Sequence, residues 1–295
     1  MTKTRSNIYG ATFMMASMLG YILNDTIIKY FAPDVGLFQT IFIRGLFVTI
    51  LISLVCWIRG AFKQSVKKAD WPFVLLRSGA DMCATILFLT ALFNMPLANI
   101  SAILQTLPLT VTLLGAAILG ERFGIRRTIA IAVGFLGVLL IIKPGTDGFN
   151  YYSLVAICAV FFITIRELAT RKISTKSSTL LISLITGVSI TISGGFGIIF
   201  MKSWISLTPE TLTALATASI FIFMGYYFSI PAMQFGDISF VSPFRFTLMI
   251  WAVLIGFLVF KEFPDNWSIL GLFTIIGSGI FTYYREYLDN KTQKD

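Results

Sequence analysis

The chain has 295 residues, 56% of them hydrophobic and 13% charged, and its mean hydropathy is +0.84. Soluble domains carry about 25% charged residues, so this composition excludes a soluble globular protein. The formal charge of +9 comes mainly from basic residues in alternate loops between apolar runs. Membrane topology explains such an excess, and no nucleic-acid function is predicted.

Ten apolar runs are predicted to be membrane-spanning helices. About 20 apolar residues in a helix cross the hydrocarbon, and a lone strand leaves its backbone groups unsatisfied in lipid. The sequence therefore predicts an all-α integral membrane protein. In chain order the predicted spans are residues 8–30, 36–57, 71–93, 98–119, 128–142, 151–170, 179–200, 212–232, 238–260 and 267–284.

The distribution of Lys and Arg predicts the orientation. Fifteen of them lie in the two tails and in alternate loops, whereas the opposite side holds only Lys29, Lys143, Lys202 and Lys261. Basic residues are retained on the cytoplasmic side of a membrane. We therefore expect a multi-pass protein of a bacterial inner membrane with both termini in the cytoplasm.

A weak internal repeat divides the chain. Displacing the sequence by 141 residues places residues 99–122 on residues 240–263, with Ser101 on Ser242, Thr106 on Thr247 and Glu121 on Glu262. This alignment predicts two halves, residues 1–146 and 147–295, with five spans each. Because five is odd, the second half is inverted, an arrangement typical of secondary transporters.

Charged residues within the spans are the first candidates for a site. Arg77 and Asp81 lie four residues apart and share a helix face. They could bind a substrate or only neutralise each other. Arg166 and Glu167 lie near the predicted cytoplasmic end of the sixth span, where a gate or an interface salt bridge is expected.

The first two spans carry charges for which a structural role is favoured. Asp25 and Lys29 also lie four residues apart, at the end of the first span. Arg44, in the second span, has either Asp25 or Glu262 as its expected partner.

The ninth span carries Arg245 without a carboxylate three or four residues away, so the guanidinium needs another helix, a cavity or a substrate. Pro243 removes a backbone donor and is predicted to bend this helix. In the fourth span, Gln105 is the polar residue that most favours solute binding. Tyr226, Tyr227 and Trp251 could stack on a planar or cationic group, although aromatic residues are abundant in this chain.

The sequence lacks the residues that metal-binding, catalytic and ATP-binding sites usually require. The chain has no histidine, and Cys56, Cys83 and Cys158 lie in separate apolar runs without paired spacing. No metal, cofactor or catalytic residue is predicted, and proton coupling would have to use Asp81 or Glu167. No phosphate-binding loop for ATP is present.

Short motifs in a fixed order resemble those of the EamA family in the drug/metabolite transporter superfamily. The motifs are Asn24-Asp25, Lys29-Tyr30, Arg44-Gly45-Leu46-Phe47, Leu76-Arg77-Ser78-Gly79, Pro96-Leu97-Ala98, Leu107-Pro108-Leu109, Gly120-Glu121, Pro243-Phe244-Arg245-Phe246-Thr247 and Lys261-Glu262-Phe263-Pro264-Asp265. The resemblance covers nearly the whole chain. It looks closest to the branch that includes S-adenosylmethionine uptake carriers and organic-anion carriers.

This resemblance implies a central cavity lined mainly by the third, fourth, eighth and ninth helices. The substrate-binding residues expected there are Arg77, Asp81, Gln105, Tyr226, Tyr227, Arg245 and Trp251. The implied function is secondary transport, by alternating access, of a small polar or amphiphilic metabolite. An organic anion or a zwitterion such as S-adenosylmethionine would fit.

The expected partners are this small molecule, the lipid bilayer and protons, with a monomer and a homodimer both open. An intramembrane enzyme is an alternative, but it would need a second catalytic group beside Asp81. A channel is another, but it would need a continuous polar stripe, which these spans lack.

Overall fold

A computed structural model describes residues 3–119, 125–143, 150–174, 177–202, 204–235 and 241–292, and these ranges contain helices but no strand. The α-helices are α1 (Lys3–Tyr30), α2 (Ala32–Val35), α3 (Leu37–Ile58), α4 (Trp71–Asn94), α5 (Leu97–Leu104), α6 (Leu107–Leu119), α7 (Ile125–Ile142), α8 (Tyr152–Lys172), α9 (Thr179–Met201), α10 (Pro209–Phe235), α11 (Thr247–Phe260) and α12 (Asn266–Thr292). Short 3₁₀ helices cover Ala61–Lys63, Lys68–Asp70 and Ser242–Phe246.

The predicted all-helical, multi-pass class is confirmed. Among the described residues, eight helical stretches are long and apolar enough to cross a membrane: Asn7–Tyr30, Leu37–Ile58, Lys68–Asn94, Leu97–Gly115, Tyr152–Lys172, Thr179–Met201, Pro209–Ser229 and Pro243–Phe260. The apolar helical stretches Ala132–Ile142 and Asn266–Phe281 are shorter. They coincide with the predicted fifth and tenth spans, and the count of ten stays a prediction.

The predicted fourth span is not one continuous helix. Helix α5 ends at Leu104, and α6 begins at Leu107. Pro108 has no N–H to donate to the carbonyl of Leu104, which removes the bond that would join the two helices. The N–H groups of Leu109 and Thr110 both donate to the carbonyl of Thr106, at 2.9 and 3.0 Å. The fourth span is therefore a helical stretch that is interrupted at Gln105 and Thr106.

The predicted ninth span is also irregular where it can be followed. Its described part begins as the 3₁₀ helix Ser242–Phe246, which contains Pro243, and continues as α11. The change of helix type agrees with the bend predicted from the proline. Residues 238–240 of this span, the motif Gly120-Glu121 and the predicted boundary between residues 146 and 147 lie outside the described residues.

Two compact units make up the chain. The first unit comprises Met1–Leu23, Asn94–Leu154 and Met224–Asp295, and the second comprises Asn24–Phe93 and Val155–Phe223. Each unit draws segments from both halves of the sequence. The units are defined by packing, whereas the predicted halves 1–146 and 147–295 are defined by a sequence repeat. The division into these halves stays a prediction.

In the second unit, α3 and α9 pack against each other through small residues. A Cβ atom on Gly194 would lie only 2.5 Å from the backbone nitrogen of Phe42 and 2.8 Å from its Cα. The hydroxyl groups of Thr49 and Thr191 lie 3.2 Å apart across the same interface. Because lipid is as apolar as a leucine side chain, such close backbone packing is what holds helices together in a bilayer.

In the first unit, α7 and α12 make a similar close contact. A Cβ on Gly137 would lie 2.8 Å from the carbonyl oxygen of Gly271, and one on Gly271 would lie 2.5 Å from the carbonyl of Gly137. Elsewhere in this unit, α11 packs on α5. A hydrophobic core forms around the buried residues Met14, Met18, Ala232 and Val241.

Replacing Gly194 by Ala should destabilise the second unit by about 1–3 kcal/mol, because the new methyl group meets backbone atoms that cannot rotate away. The matched control is Gly277→Ala in α12, where a Cβ meets nothing within 4 Å. The control should be neutral or stabilising by about 0.5–1 kcal/mol, since alanine favours the helix. Unfolding in detergent would measure both, and equal stability of the two variants would contradict the close approach of α3 and α9.

Candidate functional site

An ion-pair cluster joins α4 and α8 in the second unit. Arg166 donates through Nη1 to Oδ1 of Asp81 at 2.9 Å and through Nη2 to Oε1 of Glu167 at 2.7 Å. The side chains of Arg166 and Asp81 are 22% and 14% exposed. The planar guanidinium thus balances two carboxylates, one on its own helix and one on α4.

Arg77 lies one helical turn before Asp81 and contacts hydroxyl groups. Its Nε donates to Oγ1 of Thr170 at 3.1 Å, and its Nη1 donates to Oγ1 of Thr186. Both threonine hydroxyls donate to carbonyls of their own helices, which leaves their oxygen lone pairs free to accept from the guanidinium. Ser78 lies 3.1 Å from Thr186 in the same group. Arg77 therefore connects α4 to both α8 and α9.

A second buried polar group in this unit involves α1 and α3. Asn24 donates through Nδ2 to Oδ1 of Asp25 at 2.8 Å, and Arg44 acts electrostatically on the same carboxyl group. Asn24 and Arg44 are only 1% and 9% exposed. Of the two partners considered for Arg44 from the sequence, Asp25 is the one that lies in the same unit. Lys29 follows Asp25 by one turn on α1.

In the first unit, the break in the fourth span meets the 3₁₀ segment. Gln105, at the end of α5, donates through Nε2 to the backbone carbonyl of Arg245 at 3.0 Å. At the other end of α5, the N–H of Leu97 donates to Oε2 of Glu262 at 3.1 Å. Glu262 follows α11, and Arg245 precedes it. Helix α5 is therefore tied at both ends to residues that flank α11.

The Arg245 side chain is exposed, and its guanidinium makes no hydrogen bond or ion pair with the residues that the structure describes. Its backbone carbonyl is held by Gln105, while its charge is left available. The neighbouring Phe244 packs against the hydrophobic core of the first unit. The backbone of this Arg is thus fixed, and its side chain is free to meet a solute.

Aromatic side chains from α1 and α10 lie in the same unit. The rings of Tyr21 and Tyr226 meet edge to face with their centroids 5.5 Å apart. Tyr226 and Tyr227 are 48% and 57% exposed, so other parts of the protein leave about half of each residue uncovered. Trp251 is different, because it packs on the hydrophobic core and its indole nitrogen is buried without an acceptor among the described residues.

The structure distributes the predicted substrate-binding residues over both units. Arg77 and Asp81 lie in the second unit, and the other five, Gln105, Tyr226, Tyr227, Arg245 and Trp251, lie in the first. Sequence analysis missed Ser78, Thr170 and Thr186, because hydroxyls on three different helices share no spacing. Within the described ranges no three His, Cys, Asp or Glu side chains are grouped as metal ligands would be.

The N-terminal part of the chain is similar to a known family of transporters. Residues 8–143 match the model of the EamA-like transporter family. The resemblance stated from the sequence motifs is confirmed.

Two curated relatives align with nearly the full length of this chain. An S-adenosylmethionine uptake transporter of Rickettsia prowazekii is 24% identical, over 96% of this chain and 95% of that protein. A riboflavin transporter of Vibrio cholerae is 26% identical, over 93% of this chain and 92% of that transporter. These relatives confirm the prediction of a secondary transporter for a small metabolite, and their names weigh against the alternative of an intramembrane enzyme.

A solved crystal structure supports the fold alone. The two structures match with a TM-score of 0.64, and their sequences are 16% identical. The match covers 97% of this chain and 99% of the chain in the solved structure.

Replacing Arg166 by Ala should lower the free energy of unfolding by about 1–3 kcal/mol, because Asp81 and Glu167 lose their shared counter-charge. The loss should be smaller than the roughly 3–5 kcal/mol of a fully buried pair, since these side chains are partly exposed. Asp81→Asn should cost less, because Arg166 keeps Glu167. Arg171→Ala, an exposed arginine on the same helix, is the control and should have little effect. Chemical unfolding of the four proteins checks this, and similar losses for Arg166→Ala and Arg171→Ala would refute the cluster.

Proposed function

We propose that this EamA-like protein carries its substrate by alternating access, with two five-span inverted halves, residues 1–146 and 147–295. The observation that carries the proposal is the pair of irregular segments joined by Gln105 and Arg245. The break between Leu104 and Leu107 and the change of helix type between Phe246 and Thr247 fall at matching places in the repeat. Interrupted helices that expose carbonyls and helix ends are how transporters of inverted-repeat architecture build their binding sites.

The packing of helices within each unit supports the same arrangement. Under the ten-span interpretation, α3 and α9 are the second and seventh spans, and α7 and α12 are the fifth and tenth. Each closely packed pair therefore joins corresponding spans of the two halves. A pseudo-two-fold axis between inverted repeats produces pairs of this kind.

We propose that the protein lies in a bacterial inner membrane with both termini in the cytoplasm. The support is the excess of Lys and Arg in the tails and alternate loops.

The substrate class that fits best is a planar nitrogen heterocycle joined to a polar tail. S-adenosylmethionine and riboflavin, named for the two relatives, both have a nitrogen heteroaromatic ring system joined to a hydroxylated five-carbon group, which is a ribose ring in the first and an open ribityl chain in the second. The exposed rings of Tyr226 and Tyr227 offer stacking surfaces for the ring. Arg245 offers a fork of donors that a carboxylate, phosphate or hydroxylated tail can accept from.

Proton coupling stays a prediction from the sequence. Asp81 is the carboxylate on which we propose it depends, because protonation of Asp81 would break its ion pair with Arg166 and so change the contact between α4 and α8. Exchange or facilitated diffusion would need no titrating group.

Single cysteines would test the topology. In a background where Cys56, Cys83 and Cys158 are replaced by Ala, we expect a cysteine at Lys202 to react with an impermeant maleimide added to intact cells. Cysteines at Lys67 or Lys172 should react only after the membrane is permeabilised. All three lysines are exposed in the structure, so accessibility should not limit the reaction. Labelling of positions 172 and 202 from the same side would exclude the ten-span inverted arrangement.

Uptake by proteoliposomes would test the role of Arg245, with labelled S-adenosylmethionine and riboflavin as probes. Arg245→Lys should raise the KM roughly 10–100-fold, because one or two charge-assisted hydrogen bonds are lost. Arg245→Ala should abolish uptake and leave the melting temperature unchanged, since the guanidinium makes no hydrogen bond or ion pair with a described residue. Arg59→Ala, an exposed arginine at the end of α3, is the control and should transport normally.

Two results would count against this assignment. Loss of stability in Arg245→Ala would make Arg245 a structural residue. Failure of the unaltered protein to transport either probe, with uptake of a non-aromatic metabolite from a mixed pool, would refute the substrate class.

A further inference from the structure

Three lysines end helices in an unusual backbone conformation. Lys143, Lys202 and Lys261 have φ angles of +53°, +49° and +59°, and in the described part of the chain every non-glycine residue with positive φ is one of them. They follow the last residues of α7, α9 and α11, and the N–H of each donates to the carbonyl four residues earlier. Glycine is the usual residue at such a helix end, because a Cβ crowds the following carbonyl.

The same three lysines also oppose the charge distribution of the chain. In the ten-span arrangement proposed above, α7, α9 and α11 are the fifth, seventh and ninth spans, so all three end on the face that is otherwise poor in basic residues. Both the backbone and the topology disfavour lysine at these places. A use for the positive charge at this face would explain why lysine stands there.

The surroundings of the three ammonium groups differ. Lys143 is ion-paired with Asp265, so its charge is already used within the protein. The ammonium of Lys261 lies 6.0 Å from the ring centroid of Phe257, which in turn meets the ring of Phe263. Lys202 is exposed and makes no ion pair or hydrogen bond through its ammonium with any described residue.

Large apolar side chains close in sequence to Lys202 and Lys261 are exposed. Phe200, Met201 and Trp204, beside Lys202, are 79%, 67% and 57% exposed. Around Lys261, Phe257 and Phe263 are 49% and 66% exposed. Tryptophan is enriched where a span leaves the hydrocarbon and enters the headgroup region, which fits Trp204 beside Lys202, and exposed Phe and Met side chains offer the apolar surface that faces lipid. A lysine there extends its methylene stem along apolar surface and places its ammonium among the headgroups.

We propose that Lys202 and Lys261 each bind the phosphate of a phospholipid headgroup on the face where α9 and α11 end. The two sites are separate, one in each unit. A compact ammonium group suits a phosphate as a point charge, and anionic headgroups attract lysines near the surface. The assignment of both lysines to one face rests on the proposed ten-span arrangement. Binding of lipid itself does not depend on which solute is transported.

Lipid nanodiscs would test the proposal. The melting temperature of the unaltered protein should rise when phosphatidylglycerol is added to phosphatidylcholine discs. The double variant Lys202→Gly with Lys261→Gly should lose most of that rise, and each single variant should lose part of it. Lys143→Gly is the matched control, with the same backbone conformation and an ammonium group held by Asp265, and it should retain the full rise. In lipid-free detergent, both single variants should melt no lower than the unaltered protein, because glycine adopts positive φ without strain.

Three outcomes would overturn the proposal. The first is a full phosphatidylglycerol-dependent rise in the double variant. The second is an equal loss of the rise in Lys143→Gly. The third is an equivalent rise on adding inorganic phosphate in lipid-free detergent, which would indicate a site for free anions.

The same variants, reconstituted in liposomes, can be tested for uptake. This measurement separates lipid binding from the transport function. Loss of the lipid-dependent rise with uptake retained supports lipid binding, and a rise that survives in the double variant overturns it whatever uptake shows.

Discussion

The fold depends first on the fact that lipid hydrocarbon offers no hydrogen-bond partners to the backbone. Every backbone N–H and C=O group that crosses the bilayer must be satisfied within the chain, which leaves helices as the regular structure available to such apolar runs. The same constraint makes the irregular points informative. Pro108 removes one donor, so α5 ends at Leu104, and Gln105 at that end donates its side chain to the carbonyl of Arg245. The carbonyl of Arg245, in the irregular segment before α11, thus has a polar side chain from the end of α5 as its donor.

Charged side chains within the membrane also need partners, and leaving one without a partner costs more free energy than an unsatisfied backbone group. A lone arginine at the centre of a span costs about 2.5–3.5 kcal/mol on insertion scales. Arg166 meets two carboxylates and Arg77 meets two threonine hydroxyls, so both guanidinium groups are engaged inside the second unit. Arg245 is the contrasting case, with a fixed backbone and an exposed side chain that contacts no described polar partner. This contrast makes Arg245 the stronger candidate for solute contact and gives Arg166 a role in holding α4 against α8.

Close helix packing provides the rigid part of each unit. Glycine and threonine let the backbones of α3 and α9 touch, and a reciprocal glycine contact joins α7 and α12. The candidate polar and aromatic side chains lie mainly on other helices, namely α4 and α8 in the second unit and α10 and the segments that flank α11 in the first. Packing that uses small residues thus leaves the larger polar and aromatic side chains available for binding. Thr186 is an exception, since it lies on α9 and accepts a hydrogen bond from Arg77.

The sequence by itself determined the helical class, the positions of most spans and the residues that carry charge into the membrane, because hydrophobicity and the cost of burying charge act locally along the chain. It also marked Pro243 as an irregular point, where the structure has a 3₁₀ helix, since a missing donor is visible in the sequence. Only the tertiary structure decided that Arg166 is an ion-pair partner of Asp81, that Arg77 meets Thr170 and Thr186, and that Gln105 holds the carbonyl of Arg245. These contacts join helices that are distant in sequence, and their geometry depends on how closely the backbones approach. Residue spacing along a single helix carries no information about that distance.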